Sequence, residues 1–305
     1  MTDIIIHMGL HKTATTTLQQ QFFPHFDQIN YINKSPKITR FVNAVSKQDP
    51  IYFNPSEALG HLEGAIDETR VNLLSRESFS GPPYAGVIEQ GLDHRHSIIK
   101  NLSAAFPDGK VVLVLRRQDS LARSFYRQYI KFGGTESVER FFGFDDSGVA
   151  LFSRDRFMFT AYVDALMDHF EGRVLLLMFE DFVAEPTEFF KTLADFMGVK
   201  NKQIEIHQSN ATRFGDTGLE VCRRLNCLFR AQLNPGGIIP GVPVLGANGI
   251  KMINPMKWVH DHWPIKGGSK GAITKTSQLI LDAAKQDNRQ LEQKYKLDLE
   301  KHGYY

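Results

Sequence analysis

His7-Met8-Gly9-Leu10-His11-Lys12-Thr13-Ala14-Thr15-Thr16-Thr17-Leu18 is the stretch on which the reading of this chain turns. It closes an apolar run, Ile4 to Met8, that is short and branched enough for a buried strand. A glycine, a lysine and small hydroxyl residues follow, and the pattern from Thr15 to Phe23 predicts a helix. A strand that turns through glycine into a helix aims backbone N–H groups and the positive end of the helix dipole at one point. Lys12 adds a full charge there, and Thr13, Thr15, Thr16 and Thr17 offer hydroxyl donors. An anion, most simply a phosphate, is the expected occupant. The loop departs from the ATP and GTP type, which needs Gly directly before the Lys and another five positions before it. Here His11 precedes Lys12, and Gly9 stands only three residues upstream.

Three more apolar runs read as buried strands: Val71 to Ser75, Lys110 to Leu115, and Arg173 to Phe179. Helical patterns cover Ser120 to Phe132 and Pro186 to Met197, the latter with Pro186 in its first turn and Gly198 just past its end. Strand then helix, repeated, predicts an α/β fold with a central parallel sheet flanked by helices. The third run ends in a second junction, Leu115-Arg116-Arg117-Gln118-Asp119-Ser120-Leu121-Ala122-Arg123-Ser124. Arg116 falls at the strand end, and Ser124 one turn into the helix, so a guanidinium fork and a hydroxyl converge as a second phosphate would require. Arg117 reads equally well as a cofactor contact or a solvent-facing charge.

These two junctions, in this order, resemble the PAPS-dependent sulfotransferases (PAPS being 3'-phosphoadenosine-5'-phosphosulfate). Gly9 to Leu18 is similar to their 5'-phosphosulfate loop, G-x-x-K-[TS]-[GA]-T-[TS]-[TS]-L, with Ala14 where Gly is commoner. The spacing of Arg116 and Ser124 is similar to the pair that holds the 3'-phosphate. The resemblance implies a P-loop-like sulfotransferase fold, PAPS as donor, adenosine 3',5'-bisphosphate as product, and no metal. It implies cofactor contacts at Gly9, Lys12, Thr13, Ala14, Thr15, Thr16, Thr17, Arg116 and Ser124, with Lys12 also stabilising charge on the leaving oxygen.

Lys266-Gly267-Gly268-Ser269-Lys270-Gly271 precedes the last predicted helix, Thr274 to Lys296. It resembles the Ser-Lys-Gly loop of glycan sulfotransferases, which implies cofactor contacts at Ser269, Lys270 and Gly271; a plain flexible connector is the other reading. Asn210-Ala211-Thr212-Arg213 resembles a further stretch of those enzymes, with Arg213 as an anion-binding candidate. Transfer to a hydroxyl needs a general base. Glu77 follows the second strand at the sheet edge of both anchors and is the first candidate, with an Arg76–Glu77 ion pair as the alternative role; His11 is the second. The likeness thins between Gln28 and Arg70 and between Leu233 and Pro264, where acceptor pockets vary. The acceptor expected is a hydroxyl (or amine) compound, a carbohydrate first, then a lipid or small molecule.

Composition sets the outer bounds. The chain has 305 residues, 42% hydrophobic and 23% charged, ordinary for a soluble globular protein. The expected organisation is one domain over 1–305, with an α/β core at 1–212 and a loop-rich remainder at 213–305 ending in a helix. A net charge of +2 argues against a nucleic-acid partner. Two cysteines, Cys222 and Cys227, build neither disulfide framework nor zinc site and are expected as buried small side chains in a reducing compartment. The start lacks a basic, apolar leader, and no apolar run reaches a membrane span, so a cytoplasmic location is expected. Two other functions fit a strand-loop-helix cradle: a P-loop nucleotide kinase, and a catalytically silent nucleotide-binding protein. The kinase would need a magnesium carboxylate, and Glu180-Asp181 after the fourth run is its one candidate.

Overall fold

Five strands, one more than the four apolar runs predicted, form the main sheet. The computed structural model describes residues 3–32, 36–81, 94–148, 150–200, 202, 204, 215–246, 249–253 and 271–305. The strands are β1 (Ile4–Met8), β2 (Ile29–Ile32), β3 (Val71–Arg76), β4 (Lys110–Leu115) and β5 (Val174–Met178). They lie in the order β2-β3-β1-β4-β5, all parallel. β1 and β4 are buried along almost their whole length, which is why they read as unbroken apolar runs. β2 escaped the sequence reading because it is a four-residue edge strand with Asn30 and Tyr31 between its two isoleucines. Asn30 belongs there for polar reasons: its amide donates to Asn72 Oδ1 and to the Ala65 carbonyl, both at 2.7 Å.

Helices cover both faces of the sheet. One face carries Ile6, Met8, Leu74, Leu113 and Leu115, packed under α2 (Pro36–Lys47), α3 (Pro55–Gly60), α4 (Arg95–Ala105), α5 (Gln118–Lys131), α6 (Val138–Phe142) and α7 (Phe159–His169). The other face carries Ile5, Leu73, Val112 and Val114, beneath the segment after β1, α8 (Phe179–Ala184) and α9 (Pro186–Met197). The α9 bounds match the sequence expectation, and Gly198 closes that helix with φ 70°, a left-handed turn suited to glycine.

The helix predicted from Thr15 to Phe23 is one α-turn, α1 (Thr15–Thr17), that widens into a π-turn, Leu18–Phe22, and ends in a 3₁₀ turn, Phe23–His25. The widening brings Leu18, Phe22 and Phe23 together into the core, with Phe22 stacked on Phe190 at 4.5 Å. The C-terminal part is more regular than its glycines and prolines suggest. It contains α10 (Asp216–Asn226), an antiparallel hairpin of β6 (Val242–Gly246) and β7 (Gly249–Ile253), and α11 (Ala272–Tyr295). Cys222 is buried on α10 as expected, but Cys227, just past its end, is exposed, and both are free thiols. α11 locks onto α5 through Gln118, whose amide donates to Asn288 Oδ1 at 2.6 Å. Among the described residues no helix is long and apolar enough to cross a membrane.

Candidate active site

The chain leaves β1 for β2 on one side of the sheet and leaves β4 for β5 on the other, so a crevice opens between the carboxyl ends of β1 and β4. The two predicted anchors flank that crevice. After β1 the backbone passes through Lys12 at φ 72° and Ala14 at φ 60°, both in the left-handed region. Gly9 permits the tight turn: a Cβ there would stand 2.7 Å from Thr15 Cγ2 and 2.8 Å from Thr15 Oγ1. The Ser80 hydroxyl donates to the Gly9 carbonyl at 3.1 Å and pins the turn to the chain beyond β3. Leu18 N–H returns to the Ala14 carbonyl at 3.0 Å, so the N–H groups before it open into the loop.

The threonines divide by role. Thr13 and Thr15 are buried, and their hydroxyls donate to the Leu10 carbonyl at 2.6 and 3.4 Å, tying the loop to itself. Thr17 is buried as well, and Thr16 is exposed. The loop therefore presents chiefly backbone N–H groups and Lys12 to a ligand. Burial lowers the pKa of Lys12, the positive charges of Lys131 and Arg116 lower it further, and Glu77 opposes them.

Arg116 joins the second junction to the first. Its Nη1 donates to the Lys12 carbonyl at 2.7 Å, its Nε donates to Ser120 Oγ at 2.8 Å, and the guanidinium lies 4.3 Å above the Phe179 ring. The hydroxyl it touches is thus Ser120, which sequence spacing did not single out; Ser124 follows one turn later on the same side of α5. Arg117 is a structural residue of this corner. It pairs with Asp119 at 2.7 Å, donates to the His302 carbonyl at 3.0 Å, and gives its backbone N–H to Glu180 Oε1 at 3.0 Å. The Tyr304 hydroxyl donates to the other oxygen of Glu180 at 3.0 Å. Asp181 pairs with His302 at 2.8 Å and with Lys301. Both acidic residues after β5 therefore serve the attachment of the C-terminal turn. A partner 124 residues away carries no local sequence signal.

Glu77, at the end of β3, pairs with His11 rather than with Arg76: His11 Nδ1 lies 3.2 Å from Glu77 Oε2. The other ring nitrogen, His11 Nε2, faces the Gly81 carbonyl at 3.1 Å. A carbonyl and a carboxylate only accept, whereas a neutral imidazole has one N–H, so both contacts are satisfied when the pair holds one more proton. Burial acts to raise the Glu77 pKa. The hydrogen bond and charge of His11, with Lys12 and His7, outweigh it, and the carboxyl titrates below its usual range. The Glu77 side chain stays 42% exposed, within reach of a second molecule. His7 lies behind, fully buried and pushed down to about 4 by burial, with Nδ1 2.7 Å from Ser75 Oγ. Gln19 completes that pair by donating to the same hydroxyl at 3.0 Å.

Gly271 caps the start of α11, 3.3 Å from Asp216 at the start of α10 by the position its Cβ would take. Ser269, Lys270 and Arg213 lie outside the described residues. Among the described residues no group of three or more His, Cys, Asp or Glu side chains is placed to hold a metal ion.

The profile of the sulfotransferase family matches residues 4–203, from β1 to beyond α9, more than half of the chain. The chain belongs to the sulfotransferase family. One solved structure agrees at the level of fold. A sulfotransferase from Alicyclobacillus acidocaldarius is similar at 16% identity and TM-score 0.50, over 69% of this chain and 86% of that one. A sulfotransferase domain from the curacin biosynthetic pathway is 14% identical over 92% of this chain and 98% of that one, with TM-score 0.40. No curated protein sequence matches the chain. Family membership makes it a transferase, and the two anchors sit inside the matched span.

Proposed function

We propose that this sulfotransferase moves a sulfuryl group from PAPS to a hydroxyl acceptor, a carbohydrate first, by in-line displacement. The observation that carries the reading is the bond from Arg116 to the Lys12 carbonyl, which draws two cation-bearing strand ends into one crevice. A nucleotide phosphorylated at both ends fits that pairing. The Gly9 turn admits no side chain, and the left-handed pair at Lys12 and Ala14 turns backbone N–H groups toward an anion. When bound, PAPS would supply the sulfuryl group on its 5'-phosphate and depart as adenosine 3',5'-bisphosphate.

The chain's own residues then divide the work. Gly9 to Thr17 would hold the 5'-phosphate, with Lys12 placing its charge on the oxygen that leaves. Arg116, Ser120 and Ser124 would hold the 3'-phosphate, with Ser269, Lys270 and Gly271 closing that side. Glu77 would accept the acceptor's proton through the carboxylate oxygen that His11 does not hold. The carbohydrate assignment leans on the likeness of the Ser269-Lys270-Gly271 stretch to glycan sulfotransferases. A kinase reading is weakened because Glu180 and Asp181 are already engaged with Arg117, Tyr304, Lys301 and His302.

The test is calorimetry and thermal shift with adenosine 3',5'-bisphosphate against ATP plus magnesium. The bisphosphate is expected to bind without metal and to raise Tm by several degrees when its concentration is about a hundred times its Kd. Equal binding of ATP, or a magnesium requirement, would overturn the reading.

A further inference from the structure

Behind the Arg116 anchor lies a second layer of contacts, which starts in the first turn of α8. Phe179 lays its ring against the Arg116 guanidinium at 4.3 Å. Glu180, the next residue, accepts the backbone N–H of Arg117 at 3.0 Å. The other Glu180 oxygen accepts the Tyr304 hydroxyl, also at 3.0 Å. Tyr304 is fully buried, and burial with the charge of Glu180 raises its pKa, so the phenol stays a donor. α11 ties the same corner from the other side: Asn288 donates to the Tyr304 carbonyl at 2.9 Å and accepts the Gln118 amide at 2.6 Å. Residues 116, 117 and 118, where β4 passes into α5, are thus each held by a partner 63 or more residues away.

A guanidinium takes two phosphate oxygens at once only when its plane is correctly turned, because its N–H bonds lie in that plane. Phe179, Ser120 and the Lys12 carbonyl set the plane of Arg116. They do so only while the backbone that carries Arg116 stays in place. Arg117 precedes the first turn of α5, so its N–H lies outside that helix's own ladder, and Glu180 is what holds it. Burial works against the charge of Arg116, and Glu180 is the foremost of the negative groups that support it. Both Glu180 oxygens already hold a donor, so its part is played through Arg116 rather than on a ligand.

Building on the proposed function, we infer that Glu180 is a positioning residue for the 3'-phosphate anchor: secured by Tyr304, it fixes the backbone beside Arg116 and so sets nucleotide affinity without touching the nucleotide. Asp181 supplies the contrast. It fastens the same turn, through His302 at 2.8 Å and Lys301, but no bond joins it to residues 116–118.

The experiment is calorimetry with adenosine 3',5'-bisphosphate, at a temperature well below the Tm of every protein compared. Glu180→Ala is expected to weaken binding roughly 5–30-fold. Glu180→Gln still accepts from Arg117 and can donate to Tyr304, so its affinity should stay within about threefold of wild type. Asp181→Ala should melt lower yet bind normally. Glu180→Ala combined with Arg116→Ala should bind as Arg116→Ala does alone, because nothing is left to position. Wild-type affinity in Glu180→Ala, equal weakening in Asp181→Ala, or additive losses in the double variant would each overturn the inference and leave Glu180 a purely structural residue. Should Glu180→Ala fail to fold, Tyr304→Phe takes its place, with an expected loss of about 2–10-fold, alone and none on top of Arg116→Ala. If wild type itself does not bind the bisphosphate, the sulfotransfer reading fails and takes this inference with it; if wild type binds and the variants match it, only the inference fails.

Discussion

The loops after β1 and after β4 turn buried strands into helices at the same edge of the sheet, from different materials. The first is a backbone device. It has two left-handed non-glycine residues, a glycine with no room for a Cβ, and hydroxyls spent on its own carbonyls. The second is a side-chain device. No residue from Arg116 to Ser124 has a positive φ, and its shape is held by Arg116, Arg117, Asp119 and Glu180 through ion pairs and hydrogen bonds. A strained backbone fixes N–H groups rigidly, as a transferring centre needs. A guanidinium network gives binding energy and orientation. The proposed division, chemistry at β1 and affinity at β4, follows from that contrast.

The largest effect expected is at Glu77, opposite the β1 loop. Glu77→Gln should lower turnover by about 10²–10⁴-fold and leave nucleotide affinity intact. Steady-state kinetics and calorimetry on one preparation check it, and normal turnover would remove Glu77 as the base. His11→Asn sharpens the point. With His11 gone, burial is the dominant influence left on Glu77, so its pKa should rise. The acid limb of the pH–rate profile should then move to higher pH while turnover above that limb is largely kept. Collapse of turnover at every pH would make His11 the base. The stability linkage has a fixed sign: a carboxyl lowered by folding stabilises above its unfolded pKa, and this is lost as pH falls through the lowered value. In His11→Asn that contribution should vanish.

Next is the direct contrast between the anchors. Lys12→Ala should cut turnover by about 10²–10³-fold with little change in affinity for the bisphosphate, which lacks the transferring group. Arg116→Ala should weaken that affinity by about 10–100-fold and leave turnover at saturation nearly normal. Equal loss of affinity in both, with turnover kept, would break the division of labour.

How much of this was legible depends on where the information is stored. β1 and β4 announce themselves because both faces are buried, and the Gly9–Thr17 loop because its chemistry is contiguous in sequence. β2 does not, since half of an edge strand is polar for reasons visible only when Asn30 meets Asn72. The π-turn at Leu18–Phe22 is set by what Phe22 must touch on α9, far along the chain. Glu77 was legible as a carboxylate at the right edge, but its partner was not. Arg76 lies beside it in sequence, yet the turn after β3 swings the carboxyl to His11 and leaves the guanidinium behind. Ser124 was singled out by a family-like spacing, which says nothing of the hydroxyl that Arg116 itself touches, Ser120.

A smaller effect tests the crowding of the β1 turn. Gly9→Ala pushes a methyl group to 2.7 Å from Thr15 Cγ2, a contact that forces the loop open. The expected cost is about 1–3 kcal/mol in stability, with weaker bisphosphate binding. Adding Thr15→Ala removes the two closest atoms and should restore part of both losses. Thermal denaturation of the single and double variants reads the coupling, and strict additivity would deny that Gly9 and Thr15 are packed as described.

The smallest effect carries the clearest sign. Ala14 holds φ 60°, a conformation that costs an L-residue roughly 1–2 kcal/mol and glycine almost nothing. Ala14→Gly should therefore stabilise the protein even after the extra freedom glycine gives the unfolded chain, by a net amount worth about 1–3 °C in Tm. Ala122, in the middle of α5 beyond the β4 junction, is the matched control: it is fully buried in ordinary helix. Ala122→Gly makes the same chemical change where no strain exists, so it should lose roughly 0.5–1 kcal/mol, plus the methyl's packing. Opposite shifts from one substitution at two sites would confirm that the first loop stores its strain in the backbone and the second does not. If Ala14→Gly lowered Tm as Ala122→Gly does, the left-handed turn would be relaxed, and the rigidity ascribed to the β1 loop would have to come from its threonines.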